Sequence, residues 1–590
     1  MLKRFFISML GTVAGVFISG VLAFFVILML IGVLAGKSIS GGNGGLKEHS
    51  ILHLRLDGAM AERLQAPSLA ELLQGDTGAP LALDQLRDAL GKAADDKNID
   101  GVYLDCGGFA AGVAGCEELV SHIRSFKEAS GKWVYAYADT YTQGAYLVAS
   151  TADSIFVNPM GAVDVHGVAS VTPFFKDLLD KVGVRMQIIK VGTYKSAVEP
   201  FILNEMSEPA RRQQQEYVDS IWKYMSSTIA DARHTTPATV TAWADSMSGT
   251  WTAERAVASG MATAVSYRRA VEARLRRLTG TDTRDDLPLI TPTDYLAATD
   301  PLASLSSGGR HVALLYACGD IVDSGRSGIV GEKMVPEIIA LADDDDVAAL
   351  VMRVNSGGGS AFASEQIWEA LQYFKSKNKP FYVSMGDYAA SGGYYISCGA
   401  DRIYADATTL TGSIGVFGMI PEASGLITGK AGVHFTTVQS NENAAYPTLY
   451  SALTPAQHDA MQAGVDHIYD TFTQRVADGR SLPVDSVRSI AEGRVWVGTA
   501  ALRLGLVDKI GGLTQALYDI SFDNDLPEHV VAYPKNEENK WMAILRESAA
   551  LDGARAAAGL GTAEIQAMRL ADKLLNQNPM QARMPITFVK

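Results

Sequence analysis

Ser391, Gly392 and Gly393 stand where a strand-like run (PFYVSMGD, 380–387) passes through the small bridge YAA into an apolar, helix-like stretch. A serine at a helix start lies in the positive field of the first unpaired N–H groups, which favours negative charge developing on its oxygen. Two glycines after it let another backbone come close. The chemistry such a serine could perform is nucleophilic attack. The same residue types also make an ordinary N-cap and turn, so the serine needs a partner before it means anything.

A serine nucleophile requires a base, most often histidine. His166 and His434 are the nearest candidates in the sequence, and neither has a distinctive setting; a structural histidine accounts for both. A lysine can serve instead if burial lowers its pKa enough to leave the amine neutral. Lys195 is such a candidate, because its neighbours Tyr194, Ala197, Val198, Pro200 and Phe201 are less polar than an exposed loop. Most lysines are simply solvated.

What singles out Ser391 and Lys195 is that the chain is written twice. ADDKNIDGVYLDC begins at Ala94 and ADDDDVAALVMRV at Ala342, 248 positions later. The same offset carries AYLVASTADSIFVN from Ala145 onto GYYISCGADRIYAD from Gly393, and Gly167-Val168 onto Gly415-Val416. WTAERAVASG from Trp251 matches WVGTAALRLG from Trp496 at 245, and ILHLRLDG (51–58) matches VALLYACG (312–319) at 261. In this comparison Gln143 stands opposite Ser391, and GGFAAG (107–112) opposite NSGGGS (355–360). Aligning Gly183-Val184 on Gly432-Val433 sets Lys195 opposite Ala444. One copy has lost the serine, the other the lysine.

Each copy alternates short Val/Ile/Tyr-rich runs with helix-period segments. Strands are expected at 99–106, 133–139 and 154–158, and helices at 117–128 and 146–152. That alternation predicts an α/β fold of βαβ units with a largely parallel sheet and its site at the strands' carboxyl ends. The expected organisation is an anchor and flexible linker over 1–45, one domain over 46–300 supplying the lysine, a second over 301–535 supplying the serine, and a tail over 536–590. The halves meet near SLSSGGRH, 304–311. The tail, with AEIQAMRLADKLLNQ at 563–577, has helical spacing and is expected to be an amphipathic helix on the body or a neighbouring subunit.

Length and composition agree with this plan. A chain of 590 residues exceeds one ordinary core, and 47% hydrophobic with 20% charged residues is a globular balance. A net charge of −14 argues against a sequence-independent nucleic-acid binder. Cys106, Cys116, Cys318 and Cys398 have no metal-type spacing and imply no disulfide framework. No cofactor or metal is expected. Residues 5–34 carry no charge over thirty positions, more than the roughly 20 a bilayer-spanning helix needs. Lys3 and Arg4 precede this stretch, so an uncleaved single-pass helix with the body across the membrane is expected, with a cleaved export signal as the competing reading. SISGGNGG, 38–45, reads as a flexible tether.

The anchor, the doubled body, YKSAVEPF (194–201), NSGGGS (355–360), GDYAASGGYYIS (386–397) and LTGSIGVFG (410–418) together resemble the long, two-copy form of the signal peptide peptidase A family. The resemblance implies tandem ClpP/crotonase-like domains and a serine endopeptidase that degrades released signal peptides with a Ser/Lys dyad. It implies Ser391 as nucleophile, Lys195 as general base, Ser413 as the residue that orients the lysine, and backbone N–H groups around Gly358 and Gly359 as the oxyanion loop. It also implies a homotetramer with hydrophobic peptide substrates, held in a bacterial inner membrane and facing the periplasm. Gly357 occupies a position where the family commonly has proline, which predicts a more mobile loop. Two other readings fit parts of the sequence: a crotonase-type acyl-thioester enzyme, and a non-catalytic membrane scaffold.

Overall fold

A computed structural model describes residues 46–63, 81–299, 309–526, 529–533, 580–583 and 588–589. The expected anchor and tether lie outside these residues, as does the segment 563–577. Among the described residues no helix is long and apolar enough to cross a membrane.

The first half begins with β1 (Ser50–Ala61) and α1 (Leu83–Asp95). It continues through β2 (Ile99–Ala110), α2 (Val113–Ser130), β3 (Trp133–Ala138), α3 (Gln143–Ala149) and β4 (Ser154–Val157). β1, β2, β3 and β4 lie side by side in that order, all parallel, in a seven-stranded sheet. β5 (Arg185–Lys190) leaves this sheet.

The second half repeats the plan with β6 (His311–Cys318), α4 (Gly331–Asp343), β7 (Val347–Ser356), β8 (Gly358–Ser360), α5 (Ala361–Ser376), β9 (Phe381–Ala390), α6 (Gly392–Ser397) and β10 (Arg402–Ala405). β11 (Leu410–Gly412) and β12 (Phe417–Glu422) follow. β6, β7, β9 and β11 are neighbours in an eight-stranded sheet, with β10 also paired to β9. The duplication is visible in the register of the elements: β2 and β7, β3 and β9, and β4 and β10 each begin 248 residues apart.

The sequence forms these elements for simple reasons. The central strands are rich in Val, Ile, Tyr and Ala, and β7 is buried along nearly its whole length, as a parallel strand covered by helices on both faces must be. Helix starts carry their own caps: Thr142 caps α3, and Ser360, the last residue of β8, caps α5 by accepting from Ala363 N–H at 3.2 Å. All four cysteines are free thiols.

The halves are not separate bodies. β5 from the first half pairs antiparallel with β12 of the second, Lys190 opposite Phe417 through Arg185 opposite Glu422. The two cores interlock as well. Ile189 is buried in the second-half core, while Leu410, Val495 and Val497 pack into the first.

The expectation of helix over the tail fails at its described residues. Met580–Arg583 and Phe588–Val589 are short strands. Pro579 and Pro585 bracket the first of them and interrupt any helix there, and open strand edges supply the pairing that an isolated segment lacks.

Candidate active site

Ser391 is the hinge between β9 and α6. Its N–H donates to the Gly412 carbonyl of β11 (2.7 Å), and its carbonyl accepts from Tyr395 N–H (2.8 Å), so both ends are fixed. The backbone is bent to φ 56°, ψ −115°, a region costly for a residue with a Cβ. Such strain on a sharp strand-to-helix turn thrusts a side chain away from the sheet. The turn also runs close to the glycine loop, since a Cβ on Gly393 would stand 2.6 Å from the Ser356 carbonyl oxygen.

Lys195 arrives from the other half. β5 is bound to β12 up to Lys190, and five residues later Lys195 Nζ lies 2.8 Å from Ser391 Oγ. Nζ is also 3.1 Å from the Ser413 carbonyl oxygen and 3.2 Å from Ser413 Oγ. Ser413 Oγ in turn donates to the Gly493 carbonyl at 3.3 Å. Ser391, Lys195 and Ser413 are all fully buried.

Burial drives the lysine pKa well below its ordinary value, with no carboxylate contributing to oppose it. Three contacts suit a neutral amine. Nζ is within hydrogen-bond reach of the Ser413 carbonyl and hydroxyl oxygens and of Ser391 Oγ, close enough for a proton to pass between amine and serine hydroxyl. An ammonium has three donors and no acceptor, so it could not take that proton.

Gly358 and Gly359 stand on β8, beside α6. The Gly358 N–H donates to Ser356 Oγ at 3.1 Å, so one donor of this loop is engaged by a neighbouring side chain. At the start of α6, Gly392 carries one of the N–H groups that helix geometry leaves without an intrahelical acceptor.

The two histidines are elsewhere. His166 Nδ1 contacts Asp164 at 2.9 Å on the half-exposed surface, and His434 lies on an exposed segment. In the first copy Gln143 fills the place of Ser391. Its Oε1 accepts from the N–H groups of His166 and Gly167 (2.8 and 2.9 Å), and its Nε2 donates to the Gly167 carbonyl (2.8 Å). It closes that copy's loop instead of opening a site.

Sequence reasoning missed Gly493. A Cβ there would lie 2.7 Å from Lys195 Cβ, and φ is 76°, so both space and backbone require glycine. Tyr194 N–H donates to the adjacent Glu492 carbonyl at 2.9 Å, completing the seat of the lysine loop. The offset of 245 sets Gly493 opposite Ser248, whose hydroxyl bonds both backbone groups of Val165, the counterpart of Ser413. That exchange of a hydroxyl for a bare backbone is the signal that could have found it.

A parallel α/β body with a fully buried serine 2.8 Å from a fully buried lysine amine fits a serine hydrolase of the ClpP-like class. The pattern of peptidase family S49 matches residues 127–282 and again 373–525, and that of Clp protease matches 324–410. The chain belongs to peptidase family S49 and is a serine protease of that family. It is 35% identical over 506 residues to Protease 4 of Haemophilus influenzae, covering 83% of this chain and 82% of that one. It is 34% identical over 514 residues to Protease 4 of Salmonella typhi, covering 84% and 82%. With the chloroplastic serine protease SPPA of Arabidopsis thaliana the identity is 27% over 553 residues, covering 91% and 78%.

Proposed function

We propose that this chain is a membrane-anchored endopeptidase that cuts released signal peptides and similar apolar peptides with Ser391 as nucleophile and Lys195 as general base. The observation that carries the reading is the 2.8 Å approach of Lys195 Nζ to Ser391 Oγ in a fully buried setting. The amine takes the hydroxyl proton as Oγ attacks the peptide carbonyl. The backbone N–H of Gly392, together with that of Gly358 once it leaves Ser356 Oγ, holds the resulting oxyanion, a contribution commonly worth about 3 kcal/mol per donor. The protonated lysine then gives its proton to the leaving amine, and an acyl-enzyme remains on Ser391. Water, deprotonated by the same amine, clears it and restores the hydroxyl. Ser413 keeps the lysine aimed throughout.

The apolar stretch at 5–34 supports a single-pass anchor in a bacterial inner membrane with the body in the periplasm, and the family resemblance supports a homotetramer. Hydrolysis of a signal-like peptide tests the dyad. Ser391→Ala or Lys195→Ala is expected to reduce kcat at least about a thousandfold. An unchanged rate in either variant removes that residue from the mechanism.

A further inference from the structure

A helix begins with N–H groups that its own backbone cannot satisfy, and the two copies meet this need differently. In the second copy Ser360 caps α5 from within, accepting from Ala363 N–H at 3.2 Å. Gly112 stands opposite Ser360 in the first copy, so α2 has no capping side chain there, and its first turn carries no acidic residue. The missing acceptor comes from the other half. Asp387 Oδ1 accepts from Ala114 N–H at 3.0 Å and from Gly115 N–H at 3.2 Å. A Cβ on Gly112 would overlap this carboxyl, so a local cap and the borrowed one exclude each other.

Asp387 lies on β9, shortly before Ser391. Further along α2, Glu117 accepts from Ala407 N–H (2.9 Å), Thr408 N–H (3.1 Å) and the Thr408 hydroxyl (2.9 Å). Those two residues lead into β11. Between these grips and the site lies a short parallel ribbon, in which Tyr388, Ala389 and Ala390 of β9 pair with Leu410, Thr411 and Gly412 of β11. Its near end is held by α2 on both strands. Its far end carries Ser391 on one strand and Ser413 on the other. Lys195 belongs to the same half as α2, so a grip on the ribbon is also a grip on the separation of amine from hydroxyl.

We infer that Asp387 is a positioning residue: as the borrowed cap of α2 it fixes the ribbon that presents Ser391 and Ser413 to Lys195. This rests on reading Ser391 and Lys195 as the proteolytic centre. Proton transfer across the 2.8 Å between Nζ and Oγ is sensitive to displacement, since a shift of about 1 Å costs on the order of a hundredfold in rate. Holding a peptide asks less of that distance.

Two variants of the full-length enzyme separate positioning from folding. Asp387→Ala is expected to lower kcat for an apolar peptide about a hundredfold with KM within about twofold, and to lower Tm by about 2 °C. Adding Gly112→Ser gives α2 the kind of cap that α5 has, in the room the carboxyl leaves. The double variant is expected to recover Tm while kcat stays low, because the helix is capped again and the ribbon is still untied. Recovery of kcat together with Tm, or wild-type kcat in the single variant, overturns the inference and leaves the dyad in place. A crystal structure of either variant reads the same point without activity. The separation of Lys195 Nζ from Ser391 Oγ is expected to exceed about 3.5 Å, and an unchanged separation overturns the inference. That distance decides the role of Asp387 even if no form of the enzyme cuts peptide, a result that overturns the protease reading alone.

Discussion

Lys195 is worth most attention as a single group, because on the proposed mechanism its burial serves the chemistry, and the same burial opposes folding. A neutral amine accepts the Ser391 proton and a protonated one does not. kcat/KM is therefore expected to fall as pH drops through the depressed lysine pKa, with the acid limb well below the ordinary value of about 10.4; a limb near that ordinary value would exclude the lysine as base. Stability follows the same group. Between the depressed and ordinary values the unfolded chain binds a proton that the native one does not, so stability rises with pH across that window. Lys195→Met escapes this penalty. It is expected to be inactive yet to melt higher than the wild type at neutral pH, with the difference fading toward pH 10.4 in thermal melts. That Ser391 and Lys195 form a pair was legible in the sequence, because the duplicated chain keeps the serine in one copy and the lysine in the other, and the structure brings the two side chains together. Gly493 was not, because it offers only a bare backbone to its neighbours.

Ser391 has a second cost, which belongs to the turn between β9 and α6. A side chain at φ 56° is strained, whereas glycine populates that half of the map freely. Ser391→Gly and Ser391→Ala both remove the hydroxyl, but only the first relieves the backbone. The glycine variant is expected to be the more stable by about 1 kcal/mol in urea unfolding, and equal stability would show the turn to be unstrained. The elements themselves were read well from the sequence. The strands at 99, 133 and 154 start where the apolar runs start, since parallel strands between helices are marked by local composition. The helix expected from 146 begins at Gln143, because its cap is Thr142 and not the apolar run that follows. The third sheet had no comparable mark. β5, β12 and 580–583 are short edges whose partners lie far away in sequence, and period alone does not name a partner.

At the scale of the molecule, the halves are bolted by buried charge as well as by the shared sheet. Arg353 on β7 is fully buried. It pairs with Glu62 at the end of β1 (2.9 Å) and with Glu118 of α2, both from the first half, and donates to Ser384 Oγ (2.9 Å). Burial alone would raise the Glu118 pKa, and Arg353 beside it, with His122 and the Leu513 N–H, more than reverses that. Nearby, Glu117 accepts from the backbone of Ala407 and Thr408, and Asp387 of the second half accepts from Ala114 N–H at the start of α2. Arg353→Met strands two carboxylates in a dry interface. It is expected to cost about 3–5 kcal/mol in chemical denaturation; a loss below 1 kcal/mol would mean that water reaches the cluster.

The pairing of β5 with β12 has a further meaning in time. On the proposed mechanism the base, Lys195, is synthesised 196 residues before the nucleophile, Ser391, and neither half carries both groups. Chemical competence arises only when the second half has emerged and its edge strand has captured the first half's. A growing chain is thus harmless to itself and to its surroundings until it is whole, and the last proof of correct assembly is the appearance of the activity.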